Sequence, residues 1–439
     1  MKTNKNDKNI IFHIDVNSAF LSWSAVRMIN EGSKIDLRLV PSIVAGDKEK
    51  RHGIVLAKSI PAQKFGIHTA EPIVDAYRKC PNLISVPPDH EYYKSQSRSF
   101  INILKEYTPD IEQVSIDECY LDYSGISSQF ESPIEAAAII KNRIRDELGF
   151  TVNVGISDRK VLAKMASDFK KPDLIHTLFY DEIQSKMWPL PVGDLFLAGK
   201  STVAILNKLG IMTIGQLAQT PVEIIEYHLK SHGRVLWEYA NGIDDSVVKP
   251  VREEAKGVGN STTVSEDITR EEDADKVLLW LSEKVAARLR AAHQKAGVVC
   301  VEIKYADFTK VSKQKIADRQ VSTSSAIYKE AILLFRQLWN GQPVRLLGIR
   351  TTKLEDEDNP EQMNLFDWEM GISYNSADVK EISESFAEDR DSIKTITKSN
   401  KQIKDLENAL DKIKKKYGDN AISRASLMKK NNDDEVIDD

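Results

Sequence analysis

Ten residues constrain this fold more than any others. The run VSIDECYLDY at 114–123 sets two adjacent acids, Asp117 and Glu118, inside what otherwise reads as a buried β-strand. Burying a carboxylate is costly unless it is paired or binds a cation. A third acid meets the same constraint: in IIFHIDV, 10–16, alternation puts Ile10, Phe12, Ile14 and Val16 on one face and His13 and Asp15 on the other, so Asp15 closes a buried strand. If the two strands end side by side in one sheet, three carboxylates converge. Their repulsion raises their pKa values unless divalent metal neutralises them, and hard oxygen ligands favour magnesium or manganese. Taken singly, each acid reads better as a turn cap or as the partner of a nearby lysine.

The pattern around these strands predicts their setting. After the first strand, Ala19, Trp23, Val26 and Met28 predict a helix closed by Gly32. Strand signals cluster between 38 and 60, and AEPIVDAYRKCP reads as a helix stopped by Pro81. HEYYKSQSRSFINILKEYTP predicts a longer helix ending at Pro109, and EQVSIDECYLDYSG reads as paired strands around an acidic turn. A helix over PIEAAAIIKNRIRDELG and a β run, TVNVGIS, follow. This order fits an α+β, ferredoxin-like core interrupted by an insertion.

Beyond residue 180 the segments are short and helical. In VGDLFLAGKSTVAILNKLGIMTIGQLAQ, glycine turns at Gly199 and Gly210 suggest a helix-hairpin-helix, which aims backbone N–H groups at a phosphate. A glycine cap between packed helices fits the same residues equally well. Residues 257–355 read as a further α+β unit, with strands near VEIKYADF and VRLLGIRTTKL. The remainder is acidic and linker-like, apart from Ile403, Leu406, Leu410, Ile413 and Tyr417 at helical spacing.

Composition bounds the rest. With 439 residues, 41% hydrophobic and 29% charged, the chain has material for two to four domains. Apolar runs such as VLLWL fall far short of the roughly 20 residues of a membrane span, and MKTNKNDKN lacks the apolar region of a signal peptide, so a cytoplasmic location without membrane attachment is expected. Cys80, Cys119 and Cys300 have no disulfide or zinc spacing and read as small core residues. The net charge of -5 conceals an asymmetry, because residues from Asp356 onward carry 21 acids and 13 bases, leaving the rest at +3.

Three segments, HIDVNSAFLSW, VSIDECYLDYSG and GISDRKVLAKMASDFKKPD, follow in order the palm motifs of the Y-family translesion DNA polymerases. From Ile10 to about Leu354 the chain resembles their DNA polymerase IV and UmuC-like branch. The resemblance implies a palm at 1–27 and 86–178 with fingers inserted at 28–85. It implies a helical thumb at 179–246, a linker at 247–256, a little finger at 257–355 and a mostly flexible tail at 356–439. It implies template-directed, low-fidelity DNA synthesis past damaged bases, without proofreading, by a monomer acting on primer–template DNA and dNTP.

Carried onto this sequence, the resemblance makes Asp15 and Asp117 ligands of two Mg²⁺ ions, with Mn²⁺ as a substitute. Glu118 completes the site of the attacking oxygen, and the Val16 carbonyl joins the nucleotide-side metal. Lys164 becomes a triphosphate contact, and Phe20, beside Ala19, a steric gate against ribose. Gly199, Lys200, Ser201 and Gly210 become backbone contacts to DNA.

The chain departs from the family pattern in KSIPAQKFG at 58–66, where Ile60 and Gln63 replace a tyrosine and an arginine that touch triphosphate. Lys58 or Lys64 would supply the charge, though an ammonium cannot reproduce a bidentate guanidinium. Asn17 stands where an acid is common, and Leu197-Ala198-Gly199 where a GxG turn is typical. In the tail, Gln362, Leu365 and Phe366 match the QxxLF pattern that docks on a sliding clamp. Two other classes stay open at this point: a cyclase or nuclease on the same palm carboxylates, and a non-catalytic DNA- or clamp-binding subunit.

Overall fold

The computed structural model describes residues 9–46, 53–251, 253–359, 387–418 and 421–422. The chain divides into two compact units, Met1–Glu253 and Glu254–Asp439.

The first unit is organised by a five-stranded sheet: β1 (Ile11–Val16), β5 (Ile111–Gln113), β6 (Glu118–Asp122), β7 (Val152–Ser157) and β8 (Ile175–Thr177), in the order β5-β6-β1-β7-β8. Without β8 this is the ferredoxin-like order. β1, carrying Asp15, is central and antiparallel to both neighbours. One face packs Phe12, Ile14 and Val16 against Trp23 of α1 (Ala19–Asn30), Phe100 of α4 (His90–Lys105) and Ile140 and Ile144 of α5 (Pro133–Leu148), all buried.

The other face is also covered, by α6 (Lys160–Asp168), which sets Ala163 against Ile11 and Tyr120. A Cβ built on Gly155 of β7 would lie 2.0 Å from the Ala163 carbonyl oxygen, so the helix seats directly on the sheet where glycine leaves room. His13, which alternation placed on an exit face, is therefore fully buried under α6.

The expected insertion between α1 and α4 is a small sheet of β2 (Ser42–Ala45), β3 (Val55–Lys58) and β4 (Ile84–Val86), with α2 (Ile60–Lys64) and α3 (Ile73–Lys79). The Ser59 hydroxyl accepts from Ala62 N at 3.0 Å and Pro61 fills the first turn, which fixes where α2 starts. Cys80 joins the apolar cluster here, and all three cysteines are buried and free, as their spacing implied.

From Lys200 the unit is helical: α7 (Lys200–Lys208), α8 (Ile214–Gln219) and α9 (Val222–Ala240), the last broken at Lys230 with φ +56°. The helix-hairpin-helix reading needs one correction. Gly210 does take the left-handed turn, φ +79°, but Gly199 has φ −71° and simply caps α7. The left-handed position falls on Leu197, φ +70°, a conformation that costs a non-glycine residue roughly 1 kcal/mol.

The second unit repeats the βαββαβ theme. Strands β9 (Gly257–Ile268), β10 (Gln294–Tyr305), β11 (Lys310–Val321) and β12 (Val344–Asp356) pair in the order β11-β10-β12-β9, with α10 (Glu271–Ala291) and α11 (Ser324–Leu338). Val299, Val301 and Ile303 of β10 meet Leu278, Leu281 and Val285 of α10 in the core. The last helix, α12 (Ala387–Tyr417), half-buries Ile403, Leu410 and Ile413 of the apolar repeat, and its most buried contact is a charged one. Glu407 is 4% exposed, pairs with the buried Arg290 and accepts from Ser324 N at 3.1 Å, while Leu406 is 61% exposed. Among the described residues no helix is long and apolar enough to cross a membrane.

Candidate active site

β1 and β6 place their acids as direct neighbours: Asp15 and Glu118 are cross-strand partners. Asp117 immediately precedes β6, and its carbonyl accepts from Val16 N at 2.9 Å, tying the end of β1 to the acidic turn. All three carboxylates thus sit at one end of two central strands. Lysines meet them there. Lys164 Nζ lies 2.6 Å from Glu118 and 3.6 Å from Asp15, and Lys171 Nζ lies 2.6 Å from Asp15. Asp168 bridges the two lysines, 3.5 Å from Lys164 and 2.9 Å from Lys171. Behind Glu118, His13 sets Nε2 at 3.3 Å from its carboxylate and Nδ1 at 2.8 Å from Ser167 Oγ.

The environments of the two adjacent acids differ. Glu118 is pushed down to about 2, by the approach of the His13 ring first and by Lys164, against the pull of burial. Asp117 is held above the usual carboxylate range by burial, and the charges of Asp15 and Glu118 add to this against a hydrogen bond from Ser115. Burial keeps His13 below the ordinary imidazole value and hence neutral. Burial also opposes the charge on Lys164, but Glu118, Asp168 and Asp15 outweigh it and hold this lysine firmly protonated.

Asp15, Val16 and Asp117 open onto a cleft of about 280 Å³ whose other wall comes from the insertion, through Leu56, Ala57 and Lys58 of β3, Gln63 of α2 and Thr69 beyond it. Ala19 and Phe20 line it at the start of α1, and the Phe20 ring stacks on Tyr93, centroids 4.7 Å apart and 12° from parallel. Of the two lysines expected to supply charge, Lys58 lines this cleft. Lys64 does not; it is exposed on the last turn of α2. At the departing positions Gln63 faces the cleft, whereas Ile60 is outside its lining and 48% exposed. Gly199, Lys200 and Ser201 are exposed around the start of α7, and Gly210 is exposed after its end. Gln362, Leu365 and Phe366 lie outside the described residues.

Residues 14–168 match the model of the impB/mucB/samB family, and residues 255–365 that of its C-terminal domain. Over 96% of its length the chain is 44% identical to DNA polymerase IV of Clostridium acetobutylicum, covering 98% of that protein. It is 36% identical to DNA polymerase IV 1 of Bacillus subtilis, with 96% and 94% covered. The chain belongs to the DNA polymerase IV family. A solved Y-family polymerase chimera of Dbh and Dpo4 shares the fold at TM-score 0.69, with 24% identity, over 79% of this chain and 99% of that one.

Sequence reasoning missed two groups that touch the carboxylates, Lys171 and His13. Lys171 was in plain view in SDFKKPD, three residues past the helix bearing Lys164, but nothing in the local sequence aims it at Asp15. His13 shared the strand face of Asp15. Only α6 lying over that face reveals it as a buried contact of Glu118.

Proposed function

We propose that this chain is a DNA-directed DNA polymerase of the Y family that extends primed DNA past damaged template bases, at low fidelity and without proofreading. The observation that carries the reading is the pairing of Asp15 with Glu118 on adjacent central strands, with Asp117 beside them at the mouth of the cleft. The donors are hard oxygens, carboxylates plus the Val16 carbonyl, and a divalent cation would offset both the burial that chiefly raises Asp117 and the neighbouring charges that add to it. Among the described residues no three acidic, imidazole or thiol groups are gathered closely enough to hold a metal ion as they stand, and here lysine ammoniums take up the charge of Asp15 and Glu118. Asp15, Asp117, Glu118 and Val16 would hold two Mg²⁺ ions, or Mn²⁺, which when bound supply the Lewis acidity for nucleotidyl transfer.

The chain's own groups complete the reading. Lys164 and Lys171, beside the carboxylates, would bind the triphosphate, and Lys58 would add charge from the opposite wall. Phe20, braced flat against Tyr93, bars a ribose 2′-hydroxyl. Backbone N–H groups around Gly199, Lys200, Ser201 and Gly210 contact DNA phosphates, and Gln362, Leu365 and Phe366 dock on the sliding clamp. The protein works as a cytoplasmic monomer with palm, fingers, thumb and little finger divided as the sequence implied. The test is extension of primed templates, undamaged and lesion-containing, with Mg²⁺ and with Mn²⁺. Incorporation opposite the lesion supports the reading; tight duplex binding without incorporation under either cation overturns it in favour of a non-catalytic subunit.

A further inference from the structure

Asn153 is fully buried on β7, in register with Asp15 on the neighbouring strand. Its amide faces the turn that follows α6. Nδ2 donates to Lys170 O at 2.6 Å and to Ser167 O at 3.1 Å, and Oδ1 accepts from Leu174 N at 3.2 Å. A single planar group thus closes both ends of a loop, with two donors and one acceptor that a serine or threonine hydroxyl cannot match.

Helix ends leave carbonyls that need donors, and α6 ends without a glycine cap, at Phe169 in the right-handed region. Asn153 supplies those donors from the sheet. Lys171 stands inside the closed loop with its ammonium 2.6 Å from Asp15. A second brace holds the far side: Lys141, 9% exposed on α5, reaches Asp173 at 2.7 Å.

We infer that Asn153 is a positioning residue, holding the 167–174 turn so that Lys171 is delivered to the carboxylates and to the nucleotide phosphates beside them. This rests on the reading of Lys171 as a triphosphate contact. A lysine carries several rotatable bonds, and its value as a point charge depends on where its backbone is fixed. Without the amide, the turn carbonyls lose their buried donors and the loop that aims Lys171 loses its anchor on the sheet.

The test is a double-mutant cycle in the full-length protein, reading KM for dNTP, kcat, primer–template affinity and melting temperature. Asn153→Ala is expected to raise KM for dNTP about tenfold, with kcat changed far less and primer–template affinity unchanged. Lys171→Ala gives a similar rise, and the double variant is no worse than Lys171→Ala alone. Lys141→Met loosens the same turn from its other side, keeps Asn153, and is expected to raise KM by about threefold, an effect that disappears in the Lys171→Ala background. If Asn153→Ala multiplies KM by the same factor with and without Lys171, Asn153 does not act through that lysine and the inference fails. Should Asn153→Ala not fold, the same comparison with Lys141→Met decides. If Lys171→Ala leaves KM for dNTP unchanged, the reading of Lys171 fails and takes the inference with it, a result distinct from additivity.

Discussion

At the scale of single residues, Asp117, the proposed metal ligand, is buried at a cost in stability. Its carboxyl is held above the usual range chiefly by burial, so without metal the charged form is less favourable in the fold than in the unfolded chain. That penalty is fully present above its raised pKa and fades as pH falls through it, because the native state takes up the proton first. Asp117→Asn is therefore expected to melt higher than the parent at neutral pH without metal, with the difference vanishing in acid. The same variant should lose on the order of 10³-fold or more in incorporation, since a metal's Lewis acidity contributes several kcal/mol. Paired melting and single-turnover measurements check both halves; an active variant sinks the ligand assignment. Glu118 has the opposite sign. Its depressed value contributes stability above the ordinary 4.5 that is lost as pH falls towards about 2. Phe20 makes a cleaner test of shape: Phe20→Ala removes a ring from the cleft lining while leaving Tyr93, so rNTP incorporation should rise roughly 10–100-fold relative to dNTP. Incorporation efficiencies measured side by side decide it, and an unchanged ratio makes Phe20 a core aromatic.

At the scale of elements, the site depends on how closely α6 lies on β7. Helix and strand meet at Gly155, where an added Cβ would sit 2.0 Å from Ala163 O and 2.5 Å from Ser167 N, backbone atoms with no rotamer to yield. Gly155→Ala must lift the helix that carries Lys164 and, in its last turn, Ser167, the partner of His13. Overpacking of this kind costs about 1–3 kcal/mol, and the displacement should also cut incorporation. Urea unfolding together with primer extension measures both; a variant of parental stability and activity would show that α6 seats elsewhere.

At the scale of the whole molecule, the uneven charge of the chain separates two modes of association. DNA binding by residues 1–355 rests on local patches within a net +3 and should weaken steeply with salt. The proposed clamp docking, through apolar Leu365 and Phe366, should not. Replacing both with alanine is expected to weaken clamp affinity about 100-fold or more, abolishing clamp-stimulated synthesis while distributive synthesis is retained. Primer extension with and without clamp, at two salt concentrations, provides the comparison, and equal stimulation of parent and variant would refute the docking role.

What the sequence determined by itself was local. Period-two alternation, helix stops at glycine and proline, and acids in an apolar strand were enough to locate β1, α1, α4, the β5–β6 hairpin and the three carboxylates, because each depends on residues within a turn or two. β11 escaped, its polar and exposed run offering no alternation to read, and α12 was legible from its apolar repeat, whereas its buried Glu407–Arg290 pair was not. Tertiary structure alone decided what faces the carboxylates. His13 became a buried contact of Glu118 because α6 covers its strand, and Asn153 became a clamp because the 167–174 turn folds back over β7. Those contacts join residues distant in sequence, such as His13 and Ser167, and no local pattern encodes them. They exist only once close packing brings a helix and a turn down onto the sheet.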